Sequence, residues 1–593
     1  VSDECVCDGF QLEDFKMSYV SPGVYSKVID LSFYVRNVPS TIGFIAIVSE
    51  KGRDNELVFT NAKAFYEEFG PPNINFGAQP YGQGKYVCDS FLKNSDSLYV
   101  IRVMSDNSTY SSLGLLGETD GNYGVDSTST VFAIPVTNLN TEKEIETVVS
   151  DTGYSLLPAG YNTGDYNCAV IFTGRGRGEW YDGFKISVSP HANTVRAAEG
   201  FYMLDIWKKQ IAQDYDNDLG QWVDAYEIAQ TFEVSFNPAK TDTAGESAFI
   251  EDVVNKYFSE LVVYSNRDLC QEMEDSGTDW SLAFLDGAVQ LGGGSGDQDT
   301  INGADQLLAQ AYIGQLSRAK ANKDGYDSTM YVTEVLDTED IYFTIVLDGG
   351  YSANVKQSIY TLCRDLRKDC VGILDNGDSK SVDEALRNRR YTHTYNTYHV
   401  AMYESYSQIY DVFTGRDIWI TPVYHLASII PYTDNVAELW YAPAGFNRAT
   451  LPAIKKLRFS PRLSERELMY LEQLNPIVKF NPGYTVWGQL TSQKRPTALQ
   501  DLNITRLVLY IKRALEQYCK FFVFEMNDAE TWTAVRDGID KFLKVIQDKR
   551  GLYGFSVSVG ATEYEIKAKQ MHVDVTLNPT RVVEQISLNF FII

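Results

Sequence analysis

Near the C-terminal end of the chain, apolar residues recur every three to four positions. Ile504, Leu507, Val508, Ile511, Leu515 and Tyr518 fall on one helical face, and Trp532, Val535, Ile539, Phe542, Leu543 and Ile546 fall on another. These spacings predict two amphipathic helices, the second entered through Asn527 and Asp528, residues suited to an N-cap. Between them the run FFVFEM at 521–526 reads as a strand, and LYGFSVSV, HVDVTL and the terminal VVEQISLNFFII read as three more. Further upstream, Pro22 and Gly23 close a turn, Val24 to Asp30 reads as a strand, and Gly43 to Val48 as a buried strand. Ala62, Phe65 and Phe69 have helical spacing with Gly70 behind them; a short helix around 86–92 and a strand over 97–104 complete a compact α/β unit. IYFTIVLDGG, YSANVKQSIYTLCRDLRKDC and VGILDNGDS spell strand, helix, strand, a parallel crossover. From about 105 to 335 the texture shifts to Gly, Ser, Thr, Asn and Asp, with β-like runs at 131–136, 168–173, 183–189 and 230–236. One or two inserted, surface-facing domains are expected there.

A length of 593 residues implies several domains, at about 100–200 residues each. The 44% hydrophobic and 22% charged content is that of a globular chain and excludes a disordered or fibrous one. The net charge of −27 repels phosphates and acidic lipid surfaces, so nucleic acid is not expected as a direct partner. It does not prevent copies of the chain from packing, because salt screens exposed charges over about 8 Å. Cys5, Cys7, Cys88, Cys168, Cys270, Cys363, Cys370 and Cys519 show no CxxC pairing and read as free thiols made in a reducing cytoplasm. Neither a signal peptide nor a membrane insertion is expected: no basic start leads into an apolar stretch, and no uncharged apolar run reaches about 18 residues. The initial Val suggests processing or an altered start.

Ile586 to Ile593 contain no charged side chain, Pro or Gly, and alternate Ile586, Leu588, Phe590 and Ile592 against Ser587, Asn589, Phe591 and Ile593. A free strand of this kind aggregates unless something pairs with it, so it is expected to be paired in the working state. The partner is either its own domain or the sheet of a neighbouring copy. In the second case each main-chain hydrogen bond contributes about 0.5–1.5 kcal/mol, and repetition between copies gives a head-to-tail polymer.

The chemistry-bearing residues are sparse. TGRGRGEW at 173–180 lacks the spacing of a dinucleotide loop and reads as a turn, and GGGSG at 292–296, without a Lys or a helix start suited to phosphate, reads as a flexible loop. His191, His393, His399, His425 and His572 form no HExxH, and His393 and His399 sit in a polar aromatic run that accounts for them by stacking and hydrogen bonding. No GxSxG elbow appears. No catalytic, cofactor or metal site is expected. Against the acidic background, Arg387, Arg389 and Arg390, and Lys455, Lys456, Arg458 and Arg462, stand out as candidate contacts with a partner or as solvated helix faces.

An ordered set of motifs carries a resemblance: SPGVY at 21–25, STIGFIAIVSEKG at 40–52, SLYVIRV at 97–103, ILD at 373–375, TPVYHLASIIPYTD at 421–434, WYAPAGFNRA at 440–449, LNPI at 474–477, FFVFEMNDAETW at 521–532 and GLYGFSV at 551–557. Over 21–104 and from about 341 to the end the chain resembles the contractile tail sheath proteins of phages and related injection devices; GRGEWYDGFKISV at 176–188 and LGGGSGDQDT at 291–300 are weaker matches. Residues 1–20 and the Ser-rich segment from Ser105 have no counterpart in the family. The resemblance implies a mixed α/β and β multidomain protein, with an α/β sheath core built from N- and C-terminal parts and inserted β-rich outer domains. The organisation implied is an arm at 1–30, a first part of the core or an adjacent α/β domain at 31–104, the insertion at 105–335, the C-terminal core at 336–580 and an arm strand at 581–593. By resemblance, the chain is a structural subunit that forms stacked hexameric rings around a tail tube and contracts to drive it through a host envelope. Tube, baseplate and tail terminator proteins are the implied partners, the virion tail is the implied location, and assembly takes place in the host cytoplasm. Val24, Tyr25, Val28 and Ile29 would act with Ile586, Leu588, Phe590 and Ile592 as intersubunit arm strands, and the basic clusters as tube or lateral contacts. The alternatives are the sheath of a headless injection particle and, in a different class, an α/β enzyme with a β-rich insertion.

Overall fold

Strand β1 (Gly43–Ile47) is buried along its whole length, as expected of GFIAI in the interior of a parallel sheet covered on both faces. The computed structural model describes residues 41–76, 81–118, 131–150, 166–216, 221–318, 330–481, 483–584 and 587. The arm strand expected at Val24–Asp30 lies outside the described residues. After β1 come β2 (Leu57–Thr60), helix Ala62–Phe69, helix Gly84–Leu92 and β3 (Leu98–Arg102). The Asn61 side chain caps the first helix by accepting from Ala64 N, and Gly70, at φ 71°, ends it.

The chain then enters a β-rich region. It holds β4 (Ser112–Glu118), β5 (Val131–Ile134), β6 (Tyr166–Gly174), β7 (Phe184–Pro190), β8 (Tyr202–Asp216), β9 (Gln221–Val234), β10 (Leu261–Ser265) and the short β11 (Val289–Gln290). These build two antiparallel sheets, ordered β10-β6-β4-β5 and β11-β7-β8-β9. The run expected at 168–173 lies within β6, and those at 131–136, 183–189 and 230–236 overlap β5, β7 and β9 but extend past them by one or two residues. The long β8–β9 hairpin and β4 were not expected. β4 hides in the Ser- and Gly-rich stretch, yet Leu113, Leu115 and Leu116 are fully buried in it. A Cβ on Gly114 would come within 3.0 Å of Val136, so the close packing itself calls for glycine.

After β12 (Ser317–Arg318) and β13 (Met330–Tyr331), the parallel unit resumes with β14 (Ile345–Leu347), β15 (Val371–Asp375) and β16 (Val400–Glu404). A three-stranded sheet follows from β17 (Ser407–Asp411), β18 (Arg416–Ile420) and β19 (Ile454–Leu457), then β20 (Leu474–Phe480), β21 (Gly483–Val486), and finally β22 (Leu552–Gly560) and β23 (His572–Pro579). β1 pairs in parallel with both β3 and β14, so segments far apart in sequence share one eight-stranded sheet, β2-β3-β1-β14-β15-β16-β20-β21. Side chains alternate across it: Phe44 and Ala46 face one core, Ile45 and Ile47 the other.

Two expectations are corrected. Helix Asp297–Tyr312, within the span assigned to the outer insertion, packs its Ala304, Leu308 and Tyr312 against Phe44 in the main core. The Tyr312 hydroxyl donates to Leu347 O at 2.9 Å and accepts from Ala46 N at 3.1 Å, which ties this helix to β1 and β14. The spatial insertion therefore ends before 335. FFVFEM at 521–526 is a turn, not a strand. Helices Leu502–Lys520 and Ala529–Asp548 pack antiparallel, as the Tyr518 hydroxyl donating to Ala534 O and the Tyr510–Phe542 ring contact show. The chain has to reverse between them, which leaves no length for a strand.

Candidate assembly surfaces

The two C-terminal helices meet through Leu507, Ile511 and Tyr518 on one and Val535, Ile539, Phe542 and Leu543 on the other. Gly538 permits their close approach: a Cβ there would lie 1.9 Å from the Tyr518 hydroxyl. The β22–β23 hairpin lies against them, in register Phe555↔Leu577, Val557↔Val575 and Val559↔Val573. The period of two puts all six apolar side chains on one face, where each is only half-buried. Among the described residues neither edge of this two-stranded sheet pairs with another strand. An isolated pair of strands is marginal by itself, and unpaired edge N–H and C=O groups are a template for further strands.

Beyond β23, Thr580 N donates to Gly551 O at 3.1 Å, and the Glu584 carboxylate accepts from the Tyr470 hydroxyl at 2.9 Å. The tail thus leaves beside the parallel-sheet unit. Residues 581–584 have no regular secondary structure, and Ile586, Leu588, Phe590 and Ile592 lie outside the described residues, as do Val24, Tyr25, Val28 and Ile29.

The basic residues divide. Arg387 and Arg390 are exposed, Arg390 pairing with Glu472 at 2.9 Å. Arg389 is corrected: it is buried, and its guanidinium donates to the backbone carbonyls of Glu472, His393 and Tyr395, so it ties loops together rather than meeting a partner. Lys455 and Lys456 lie on an edge strand, β19, not on a helix face; both point outward while Ile454 and Leu457 point in. Lys455 bonds to Asp417, and Arg458 makes a two-pronged contact of 2.7 Å with Asp378.

In open α/β sheets catalytic groups collect at the C-terminal ends of the strands. Here Asp348 follows β14, Asp375 ends β15 and Glu404 ends β16, all fully buried, with Lys356 between the two aspartates. Lys356 Nζ stands 2.9 Å from Asp375 and 3.4 Å from Asp348, while Tyr406 and Thr421 donate to Asp375. Burial works to raise Asp375, but Lys356 and the hydrogen bonds from Thr421 and Gly377 N hold it below its ordinary value. Burial pushes Glu404 up to about 8 against the donors Asn376, Ser379 and Ser405 N. With every member sealed from solvent, the group cross-links strand ends and presents no face to a substrate.

The other sequence features become structural in the same way. Arg177, in the Gly-rich turn 173–180, is buried and pairs with Asp54 at 2.7 Å, joining the β-rich region to the main unit. The GGGSG segment is held by backbone bridges Ser112–Gly292 and Thr109–Ser295, and a helix does begin after it, at Asp297. Asp297 and Asp299 occupy that helix's first turn, which disfavours phosphate. His425 shares a hydrogen bond of 2.7 Å with Ser407, and burial lowers its pKa to about 3; His399 bonds Cys370 O at 3.1 Å and packs on Tyr398.

Residues 321–492 match the family described as phage tail sheath protein central domain, and residues 494–593 the phage tail sheath C-terminal domain. The tail sheath protein of Vibrio phage KVP40 is 25% identical over 401 residues, covering 61% of this chain and 53% of that protein. The tail sheath protein of Enterobacteria phage T4 is 23% identical over 379 residues, covering 61% and 54%. The chain thus spans about half the length of these curated relatives. The crystal structure of a sheath tail protein from Listeria innocua shares the fold at 10% identity, with TM-score 0.50, over 92% of this chain and 96% of that one.

Proposed function

We propose that the chain, whose residues 321–492 and 494–593 match the central and C-terminal domains of phage tail sheath proteins, is a structural subunit of a contractile tail sheath. It polymerises helically around a tail tube and shortens to drive the tube through a host envelope, without catalysis of its own. The observation that supports this reading is the β22–β23 hairpin, with an apolar face half-covered and both edges unpaired among the described residues. The uncharged segment Ile586–Ile593 supplies the strand it lacks. Because the tail departs beside Tyr470 and Asp501, adding it to the hairpin of a neighbouring copy links subunits head to tail. The N-terminal strand Val24–Asp30 serves as the second arm. Linked in this way, rigid units change their packing between an extended and a shortened lattice while the arms keep them joined.

Tube, baseplate and tail terminator proteins are the proposed partners, with exposed Arg387, Arg390, Lys455 and Lys456 as candidate tube or lateral, subunit-to-subunit contacts. Stacked hexameric rings in the virion tail are the proposed assembly, formed in the host cytoplasm. Truncation after Gln585 tests the arm: a folded chain that no longer forms tubes by negative-stain microscopy is expected. Tubes of ordinary length from the truncated chain, or stable monomers from the intact chain, would overturn it.

A further inference from the structure

Two exposed apolar patches carry opposite charge and sit at opposite ends of the parallel sheet. The first is the turn after helix Leu502–Lys520, where Val523 and Met526 are exposed and Phe524 is fully so. Phe524 is also held at φ 78°, a conformation bulky residues seldom adopt, so the turn presents the ring outward against a local steric cost. Glu525, Asp528 and Glu530, all exposed, surround it. The end of this helix lies just upstream of β14: Arg513 donates to Thr338 O at 2.7 Å, and Lys520 pairs with Glu339 at 3.2 Å.

The second patch is the tip of the β17–β18 hairpin, which follows β16 at the other end of the sheet and is anchored there by Tyr406 bonding Asp375. Tyr410, Val412 and Phe413 are exposed on it. Arg416, Lys455 and Lys456 flank these residues, with Lys455 4.9 Å over the Tyr410 ring and Asp417 the neighbouring acid. Strands β1, β14, β15, β16 and β20 run parallel, so the sheet separates the two patches within one chain.

We infer that the acidic-rimmed turn Val523–Met526 of one copy docks on the basic-rimmed tip Tyr410–Arg416 of a second copy. An apolar centre with complementary rims favours this pairing over like-with-like contact. Because the patches differ and cannot meet within one chain, the contact is heterologous and propagates. The inference rests on the polymer reading above but uses neither arm.

The test measures the concentration at which half of the full-length chain sediments as assemblies. Phe524→Ser and Val412→Ser, both at exposed positions, are expected to raise it about ten-fold or more with circular dichroism unchanged. Glu525→Lys and Lys456→Glu should each raise it about ten-fold, and the two combined in one chain should return it to within about three-fold of the parent. Charge reversals that assemble like the parent, or a double variant as defective as the two singles added, overturn the inference and leave the sheath reading standing. A parent chain that never assembles overturns both. Assembly unchanged by the variants but loss of binding to purified tube protein assigns the patches to that partner and also overturns it.

Discussion

The eight-stranded sheet and the C-terminal hairpin use the same strand chemistry and end in opposite conditions. β1 and β15 are buried on both faces, with helices from early and late in the chain covering them. The hairpin has one half-covered face, one exposed face and two free edges among the described residues. A sheet completed by its own chain holds its full stability as a monomer, whereas one left incomplete keeps part of its stabilisation for a later partner. This division suits a subunit whose rigid body survives a change of lattice while its links are made between copies.

The largest effect should come from the closed sheet. Phe44→Ala removes a ring packed on Tyr312 and Phe343, and should cost about 3–5 kcal/mol in denaturant unfolding whether or not the chain has assembled. A loss comparable to that of an exposed substitution would break the comparison. An intermediate effect is expected from Glu404→Gln, read as a function of pH. Because burial raises Glu404 from 4.5 to about 8, the folded state holds its proton more tightly than the unfolded chain. Its stabilising contribution is complete below pH 4.5 and disappears as pH rises to 8. Relative to Glu404→Gln, the parent should therefore lose at least about 1 kcal/mol across that window; parallel pH profiles would remove Glu404 from the account. The smallest effect in the isolated chain is expected from Val575→Ala, at about 1 kcal/mol or less, because the side chain is only half-buried. The same substitution should weaken assembled tubes more than it weakens the monomer, and equal losses in both would mean that no strand is added there.

Periodicity over 504–518 and 532–546 located both C-terminal helices, and alternation located β22 and β23, because each pattern is set by a single buried face. FFVFEM misled for the same reason. Its composition is that of a strand, but the antiparallel packing of the flanking helices consumes its length in a reversal. Arg389 looked identical to its exposed neighbours Arg387 and Arg390, since the carbonyls that capture it come from Tyr395 and the distant Glu472.

The local pattern of residues by itself determined where most strands and helices form, since local burial and charge suffice for these. Only the tertiary structure decided that β1 and β14 adjoin, that helix Asp297–Tyr312 belongs to the main core, and that two strand-end carboxylates, Asp348 and Asp375, close around Lys356. Those facts depend on contacts between residues far apart along the chain, and no local spacing encodes them.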